Sequence, residues 1–419
     1  MTTSDGRRAL VVGAGIFGVT AALELRARGL DVTLLDPGPL PHPLAESTDI
    51  SKVIRLDYGA DDLAMALMET ALDGWRQWNA RWNADGGRSL FHECGVAFLT
   101  RTPMALGAVA APDGHPLGGF EAESYQALLR RGHAPQRLGA AEIHARYPAW
   151  REGAFVDGYF NPEGGWAESG AVVATLAREA ESRGVRLCRG LTCAGLLERG
   201  ARVAGVVTRE GATLEADHVV VAAGTWTPRL LPHLGGALRS VGQPVFHLAP
   251  RDPSPFGTAR FPVFGADIAQ TGYYGFPVQP NGVVKIANHG VGRDVDPGDV
   301  ASANSELGAP ERVVSAAEVE ALRAFLRDTF PGLVDAPIVG TRLCVYGDMW
   351  DEQFLIARDP ERAGLTVAAG GSGHAFKFAP VLGGLIADAT LGVPHPALER
   401  FAWRPLRAAA PGEAARHHG

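Results

Sequence analysis

A glycine-rich turn near the beginning of the sequence constrains the fold of this chain more than any other feature. The apolar run at residues 9–12 predicts a strand, and Gly13, Gly15 and Gly18 follow it at the spacing G-x-G-x-x-G. A helical pattern and a second apolar run come next, and the second run ends at Asp36. Together these segments predict a strand, a tight turn, a helix and a second strand with an acid at its end.

Each of these residues has a physical role in binding a dinucleotide. Gly13 permits the tight turn, Gly15 lets the backbone approach a pyrophosphate, and Gly18 lets the helix pack closely on the strand. The free N–H groups and the positive dipole at the start of the helix favour phosphate groups. Asp36 is placed to accept hydrogen bonds from the ribose hydroxyls of an adenosine. The unit therefore predicts dinucleotide binding, with a glycine-rich turn in another kind of α/β protein as the alternative, and it does not distinguish NAD from FAD.

Two later segments have a similar design and favour FAD. A buried apolar strand runs into Gly224 and Trp226, and its small residues suit close packing on a cofactor. Near the end of the chain another apolar strand runs into Gly371 and Gly373 before a helix begins. Short alternating segments between residues 191 and 215 predict a small β-meander. Three separated stretches thus contribute to the nucleotide-binding layer, more than a plain NAD dehydrogenase would need.

The composition excludes several classes of protein and partner. The 419 residues are 46% hydrophobic and carry a formal net charge of −7, which excludes wholesale disorder and argues against a nucleic-acid partner. Four cysteines without metal-ligand spacing exclude a disulfide scaffold and predict no metal site. No apolar run reaches about 18 residues, and the first residues are polar, so we expect no membrane segment and no signal peptide. We expect a reduced, cytoplasmic compartment.

Lysine is rare in this chain, although basic residues are not. Of the 39 lysines and arginines, only Lys52, Lys285 and Lys377 are lysines. Codon bias and chance are one explanation. The other is that these positions need a compact ammonium group, or a base that can lose its proton, and arginine supplies neither.

All three lysines lie in four short windows that carry the remaining chemistry. The windows are Asp49-Ile-Ser51-Lys52-Val-Ile-Arg55-Leu-Asp-Tyr58, then Tyr273-Tyr274 with Lys285 and His289, then Arg342-Leu-Cys344-Val-Tyr346-Gly347, and finally Gly371-Ser-Gly373-His374-Ala-Phe-Lys377-Phe. At these windows the chain resembles the FAD-dependent amine oxidases typified by monomeric sarcosine oxidase. The first and last windows are most similar to the saccharopine, pipecolate and fructosyl amino acid oxidase branch. The resemblance runs from Ala9 to about Leu391.

The resemblance implies an α/β fold with two domains. One is a glutathione-reductase-like, Rossmann-type FAD-binding domain, and the other is an α+β substrate domain built on an antiparallel sheet. We expect the Ala- and Pro-rich tail after Arg404 to be mobile. The predicted boundaries are 1–59, 151–240 and 336–400 for the FAD-binding domain, 60–150 and 241–335 for the substrate domain, and 401–419 for the tail.

The resemblance also assigns cofactor contacts. It implies that Cys344 bonds covalently to the 8α-methyl group of the flavin as a thioether, whereas the alternative is a small buried hydrophobic residue. It places Lys52 over the face of the flavin. Ser51, His374 and Lys377 are further cofactor-binding residues that the windows imply.

The remaining roles concern substrate and oxygen. The resemblance places Lys285, through a water, beside flavin N5, where its charge would help dioxygen accept an electron; a solvated strand lysine is the alternative. Arg55 and Lys377 would hold a substrate carboxylate. The arginine offers two parallel hydrogen bonds, and the lysine adds a point charge. Tyr274 and His289 would shape the cleft or orient the amine. The alternatives are that Tyr274 is an aromatic residue of the core and that His289 is hydrogen-bonded to the backbone.

These assignments predict a FAD-dependent oxidase of a secondary amine or of an N-substituted or cyclic amino acid. Hydride would pass from a carbon of the C–N bond to flavin N5, and dioxygen would reoxidise the flavin to give hydrogen peroxide. A dehydrogenase that passes electrons to a quinone or protein, and a non-catalytic nucleotide-binding protein, are the alternatives. We expect a small amine with a carboxylate and dioxygen as partners, and a monomer. Gly347, where the family often has threonine, and the unmatched stretch 104–147 leave the substrate open.

Overall fold

The computed structural model describes residues 7–106, 119–298, 312–406 and 412–418. The strands in these ranges are β1 (Arg8–Val12), β2 (Asp31–Asp36), β3 (Lys52–Arg55), β4 (Phe91–Glu93), β5 (Val96–Thr100), β6 (Gln136–Arg137), β7 (Asp157–Asn161), β8 (Gly164–Ala167), β9 (Arg186–Arg189), β10 (Cys193–Arg199), β11 (Arg202–Thr208), β12 (Thr213–Glu215), β13 (His218–Val221), β14 (Leu238–Leu248), β15 (Val263–Ala266), β16 (Tyr273–Gly275), β17 (Val284–Asn288), β18 (Arg293–Asp294), β19 (Ile338–Met349), β20 (Leu355–Arg358) and β21 (Leu365–Ala369). The helices are α1 (Ile16–Ala27), α2 (Asp62–Ala84), α3 (Gly119–Arg130), α4 (Ala140–Arg146), α5 (Ser169–Ser182), α6 (Thr227–Leu230), α7 (Ile268–Thr271), α8 (Ala316–Thr329), α9 (Ala379–Leu391) and α10 (Pro396–Arg400).

A six-stranded sheet in the order β20-β21-β13-β1-β2-β9 forms the nucleotide-binding layer. Five of these strands are parallel, and β20 runs antiparallel to β21 at one edge. In β1, Leu10 lies opposite Thr33 on one side and Val219 on the other. Such continuous apolar strands form because both faces of a parallel sheet are covered. The Rossmann-type layer predicted from the glycine-rich turn is therefore present, together with the small meander β10-β11-β12.

Close packing of helices on this layer depends on glycine. Helix α1 contacts both α9 and α5. A Cβ atom at Gly18 in α1 would lie 1.7 Å from the carbonyl oxygen of Gly13, and one at Gly383 in α9 would lie 2.4 Å from that of Thr20. Gly13 itself has a φ of 98°, which glycine adopts readily. These glycines set how closely helix and turn approach the sheet.

A nine-stranded sheet forms the second layer, with β18-β14-β17-β16-β15-β5-β7-β6 in order and β19 paired to β14. Its pairs are antiparallel except β5 with β15. An aromatic cluster that includes Trp150, Phe264 and Phe330 packs in its core. Strands β7 and β19 belong to this sheet although they come from segments that we assigned to the FAD-binding domain. The predicted domain boundaries stay a prediction.

The described part of the C-terminal tail is packed against the rest of the protein. Within residues 412–418, Ala415 is fully buried, and the Arg416 side chain is buried beside Asp348. The expectation of a mobile tail is therefore wrong for these residues. Residues 407–411 and 419 lie outside the described residues. The composition favoured mobility, but buried partners for the charged side chains hold the segment in place.

Two general features bear on the environment of the protein. Among the described residues, no helix has both the length and the apolar character that crossing a membrane requires. The same ranges contain no group of three or more His, Cys, Asp or Glu side chains suited to hold a metal ion. All four cysteines are free. The cytoplasmic compartment stays a prediction.

Candidate active site and cofactor cleft

A long cleft opens at the carboxyl ends of β1, β13 and β21, where ligands bind in open α/β sheets. Its volume is about 1210 Å³ when the solvent space at its opening is included. It is lined by eight of the residues that the sequence predicts to bind the cofactor, namely Gly13, Gly15, Asp36, Lys52, Gly224, Trp226, Gly371 and Gly373. Gly18 lies instead at the contact between helix and turn. The three separated stretches thus converge as predicted.

The near end of the cleft is built to receive a dinucleotide. Helix α1 begins after Gly15, which gives its first turn no side-chain cap. Asp36 is buried at the end of β2, and its carboxylate accepts hydrogen bonds from the backbone N–H groups of Ala14 (2.8 Å) and Gly38 (3.1 Å). Burial raises the pKa of Asp36, while those two hydrogen bonds oppose the shift. The N–H of Ile16 donates to the Ser47 hydroxyl (3.0 Å), and the positive end of the α1 dipole beside a fixed acid fits the pyrophosphate and ribose of such a cofactor.

Glu46 is a half-buried acid on this cleft that the sequence analysis missed. Its carboxylate accepts hydrogen bonds from the backbone N–H groups of Gly373 (3.1 Å) and Gly347 (3.4 Å). Burial raises its pKa to about 7, although Lys52 attracts the charged form. Its sequence context, a polar stretch after β2, carries no signal of this burial.

A second pocket adjoins the cleft, and its volume is about 570 Å³ when the solvent space at its opening is included. Lys52, Gly373 and Phe376 line both cavities, so the two share a boundary. The second pocket is lined by five more of the predicted site residues, namely Arg55, Tyr274, His289, His374 and Lys377. Apolar side chains from β5 and β15 complete it, among them Phe98 and Phe264. This arrangement can hold a small molecule against a cofactor in the cleft.

Lys285 and Cys344 lie close to Lys52, although neither of them lines either cavity. Strand β14 lies between β17 and β19, and it pairs His247 with Lys285 and Gln243 with Cys344. The Lys52 ammonium lies 3.8 Å from the Cys344 sulfur, which is buried. Burial lowers the pKa of Lys52, but attraction by Cys344 and Asp49 outweighs it, and the pKa is raised.

Lys285 is held by partners from the first window. Its ammonium donates hydrogen bonds to the Asp49 carboxylate (2.6 Å) and to the backbone carbonyl of Ser51 (2.5 Å), and it lies 4.7 Å from the centre of the Phe276 ring. Burial and repulsion by Lys52 lower its pKa to about 8, against the attraction of Asp49. Lys285 is only 1% exposed, so it is not a solvated strand lysine.

Asp49 is a site residue to which the sequence gave no role. It lies three residues before Lys52, and this nearness to a predicted cation was the one available signal. Burial raises the pKa of Asp49, but the Lys285 and Lys52 charges, with the His247 ring 3.6 Å away, hold it well below its usual range. Ser51 is also buried, and its hydroxyl has no hydrogen-bond partner among the described residues.

Lys377 and His374 form the opposite wall of the second pocket. The Lys377 ammonium donates to the Tyr58 hydroxyl (3.0 Å) and to the His374 carbonyl (3.1 Å). Burial and the neighbouring Arg55 charge hold the pKa of Lys377 well below its usual range. Burial lowers the pKa of His374 to about 3, so its ring is neutral at pH 7. Tyr274, across the pocket, has its pKa raised to about 12 by burial.

Arg55 is paired with a residue from the C-terminal tail. Its Nη2 atom donates a hydrogen bond to Oε1 of Glu413, and the other carboxylate oxygen lies 2.6 Å from Nε2 of His289. Arg55 Nη1 is buried and has no hydrogen-bond partner among the described residues. Burial raises the pKa of Glu413, but the Arg55 and His289 charges hold it well below its usual range. Sequence reasoning missed Glu413 because its Ala- and Pro-rich surroundings predict no structure.

The tail segment that carries Glu413 is anchored by Arg416. This guanidinium donates to the Asp348 carboxylate (2.7 Å) and to the Gly290 carbonyl (2.9 Å), and it lies 3.1 Å from the Glu352 carboxylate. The backbone N–H of Glu413 also donates to Glu352 (2.6 Å). These contacts fix the position of the Glu413 carboxylate.

Comparison with known proteins gives consistent matches over almost the whole chain. The family model of DAO, FAD dependent oxidoreductase, matches residues 8–389. Peroxisomal sarcosine oxidase of Mus musculus is 28% identical over 392 residues, which cover 92% of each chain. L-saccharopine oxidase of Schizosaccharomyces pombe is 26% identical over 413 residues, covering 92% of this chain and 90% of that protein. The solved structure of fructosyl amine: oxygen oxidoreductase (Amadoriase I) from Aspergillus fumigatus superimposes with a TM-score of 0.75 at 25% identity, covering 96% of this chain and 91% of that one.

Proposed function

Because the chain belongs to the DAO family of FAD-dependent oxidoreductases, we propose that it is an oxidase of a secondary amine or of an N-substituted or cyclic amino acid. The observation that carries this proposal is that Lys285 and Cys344 cluster around Lys52, which lines both the cofactor cleft and the second pocket. FAD would supply the redox chemistry, accepting hydride from a carbon of the C–N bond and passing the electrons to dioxygen to give hydrogen peroxide.

Residues of this chain would hold the cofactor in the cleft. The start of α1 would take the pyrophosphate, and Asp36 would take the adenosine ribose. Cys344 would tether the flavin through its sulfur, which lies 3.8 Å from the ammonium of Lys52 in the lining of the cleft.

Lys285 would serve the oxygen half of the reaction. An anion that forms from dioxygen in a poorly solvated site is stabilised by a fixed cation nearby. Lys285 is held in place by Asp49 and by the Ser51 carbonyl, so its charge needs little reorganisation when oxygen reacts. The pKa of about 8 leaves most of the group charged at pH 7.

The second pocket would receive the amine. Lys52 and Arg55 are cations at its edge, and nearby positive charge favours the neutral amine over its ammonium form. Only the neutral amine has a lone pair that supports the departure of hydride. Arg55 and Lys377 would face the polar end of the substrate, while Tyr274 and His289 would orient the nitrogen.

A screen for peroxide release tests this proposal. Purified protein is given N-methyl, cyclic, opine-type and fructosyl amino acids together with simple secondary amines, and both oxygen consumption and peroxide are measured. We expect one peroxide for each amine oxidised, from a yellow protein. Flavin bleaching without peroxide, and with reduction of an artificial electron acceptor, would replace the oxidase by a dehydrogenase. A flavin that no amine bleaches would support a non-catalytic protein instead.

A further inference from the structure

The contact between Glu413 and Arg55 bears on which substrates the second pocket accepts, and it rests on the function proposed above. Arg55 is the guanidinium that faces the polar end of the substrate. In the structure its charge is already balanced by the carboxylate of Glu413, and both side chains are almost fully buried. A substrate with its own carboxylate at this point would bring a second anion to a guanidinium that is already balanced. The other cationic group there is Lys377, whose pKa is held well below its usual range by burial and by the Arg55 charge.

The Arg55 guanidinium has one donor atom that Glu413 does not use. Arg55 Nη2 is used by Glu413, but Nη1 is buried and has no hydrogen-bond partner among the described residues. A buried donor of this kind is costly to leave unpaired, and a neutral carbonyl or hydroxyl oxygen would satisfy it. A free carboxylate would satisfy it too, but at the cost of repulsion from Glu413 in a poorly solvated site.

The tail segment holds Glu413 firmly enough to make this a fixed feature of the pocket. Arg416 is buried and contacts Asp348, Gly290 and Glu352. The backbone N–H of His417 donates to the carbonyl of His289, and the ring of His289 contacts the Glu413 carboxylate, so the segment is tied to this residue as well. Displacing Glu413 from Arg55 would strain these contacts.

We propose that Glu413 is a specificity-determining residue that occupies the carboxylate subsite at Arg55, so that the enzyme favours secondary amines whose far end is a neutral hydrogen-bond acceptor over amino acids with a free carboxylate. Amides and esters of N-substituted or cyclic amino acids are substrates of this class. Removing the Glu413 charge turns the subsite into one for carboxylates.

Matched pairs of substrates that differ only in this charge test the proposal. The pairs are N-methylglycine with its amide and proline with its amide. In the wild-type enzyme we expect kcat/KM to be at least about tenfold higher for each amide, which corresponds to about 1.4 kcal/mol. In Glu413→Gln we expect the preference to reverse in favour of the acids, mainly through KM. Glu179→Gln is the matched control, since Glu179 pairs with Arg81 and Arg183 away from both pockets, and it should keep the wild-type preference.

A binding measurement tests the same point without turnover. Propionate and propionamide are titrated into the flavin-loaded protein, and the flavin absorbance reports binding in the adjoining cleft. We expect Glu413→Gln to bind propionate at least about tenfold more tightly than the wild type does, with little change for propionamide. Arg416→Met should also tighten propionate binding and weaken the preference for amides over acids, because it loosens the anchor of Glu413 without touching Arg55. If Glu413→Gln yields no folded protein, Arg416→Met decides by these two readouts.

The outcomes separate this inference from the proposed function. Unchanged propionate affinity together with an unchanged preference for amide or acid overturns the role of Glu413 and leaves the amine oxidase intact. An equal fall in kcat for both members of each pair also overturns it, and makes Glu413 a positioning residue for His289. If the full screen of amines finds no substrate for the wild type or the variants, the proposed function fails, while tighter propionate binding by Glu413→Gln would still support the subsite.

Discussion

The rate at which oxygen reoxidises the reduced flavin should depend on pH through Lys285. Burial and the Lys52 charge lower the pKa of Lys285 to about 8. About nine tenths of the protein therefore carries the charged form at pH 7, and about one tenth carries it at pH 9. If the charge promotes the reaction with oxygen, the reoxidation rate should fall about tenfold between pH 7 and pH 9, with its midpoint near 8.

Rapid mixing of the anaerobically reduced protein with air-saturated buffer measures this rate from the flavin absorbance. Lys285→Met should be slow at every pH while its reduction by amine stays largely intact. Asp49→Asn should move the midpoint below 8, because it removes the carboxylate that favours the charged lysine at 2.6 Å. A wild-type rate that is flat from pH 7 to pH 9, or the same fall in Lys285→Met, would refute the role of this lysine.

Three further predictions concern the cofactor and the packing. Cys344→Ala should release its flavin on acid precipitation, leaving a white pellet, whereas the wild-type pellet should stay yellow; a wild-type pellet that loses its colour would contradict a covalent bond. Gly383→Ala should destabilise the protein by about 2 kcal/mol in urea unfolding, because its Cβ would lie 2.4 Å from the Thr20 carbonyl oxygen. The neighbouring Gly384→Ala is the control: its Cβ would meet nothing within 4 Å, and the alanine should stabilise α9 by up to about 1 kcal/mol. Glu46→Gln should stabilise the flavin-free protein by about 3 kcal/mol at pH 8 but not at pH 4. The pKa of Glu46 is about 7 in the folded protein against an ordinary 4.5, so ionising this carboxyl costs stability progressively as the pH rises from 4.5 to 7. Equal gains at both pH values would contradict this.

The sequence was sufficient to predict the nucleotide-binding layer because its signals are local. The turn at Gly13 needs a positive φ, and Gly18 needs the absence of a Cβ, so both requirements appear as glycines at fixed spacing. The rare lysines likewise pointed to the pocket, since a buried ammonium is costly and is kept only where it has partners. Each of the three lysines is at most partly exposed in the structure.

The partners of these cations could not be predicted in the same way. Lys285 and Asp49 are 236 residues apart, and Arg55 and Glu413 are 358 apart, so no periodicity links them. The tail that carries Glu413 has the composition of a mobile segment, and only its contacts in three dimensions show otherwise. Pairing between distant charges depends on the folded geometry, which the local pattern does not contain.

The position of strand β14 limits how the sequences of related chains can differ. It hydrogen-bonds to β17 along one edge and to β19 along the other, and so it fixes the position of Lys285 relative to Cys344. A one-residue slip against either neighbour would turn that neighbour's side chains to the wrong face of the sheet. Insertions and deletions should therefore accumulate in the surface connections of related chains, while β14 keeps its length even where its residues are replaced.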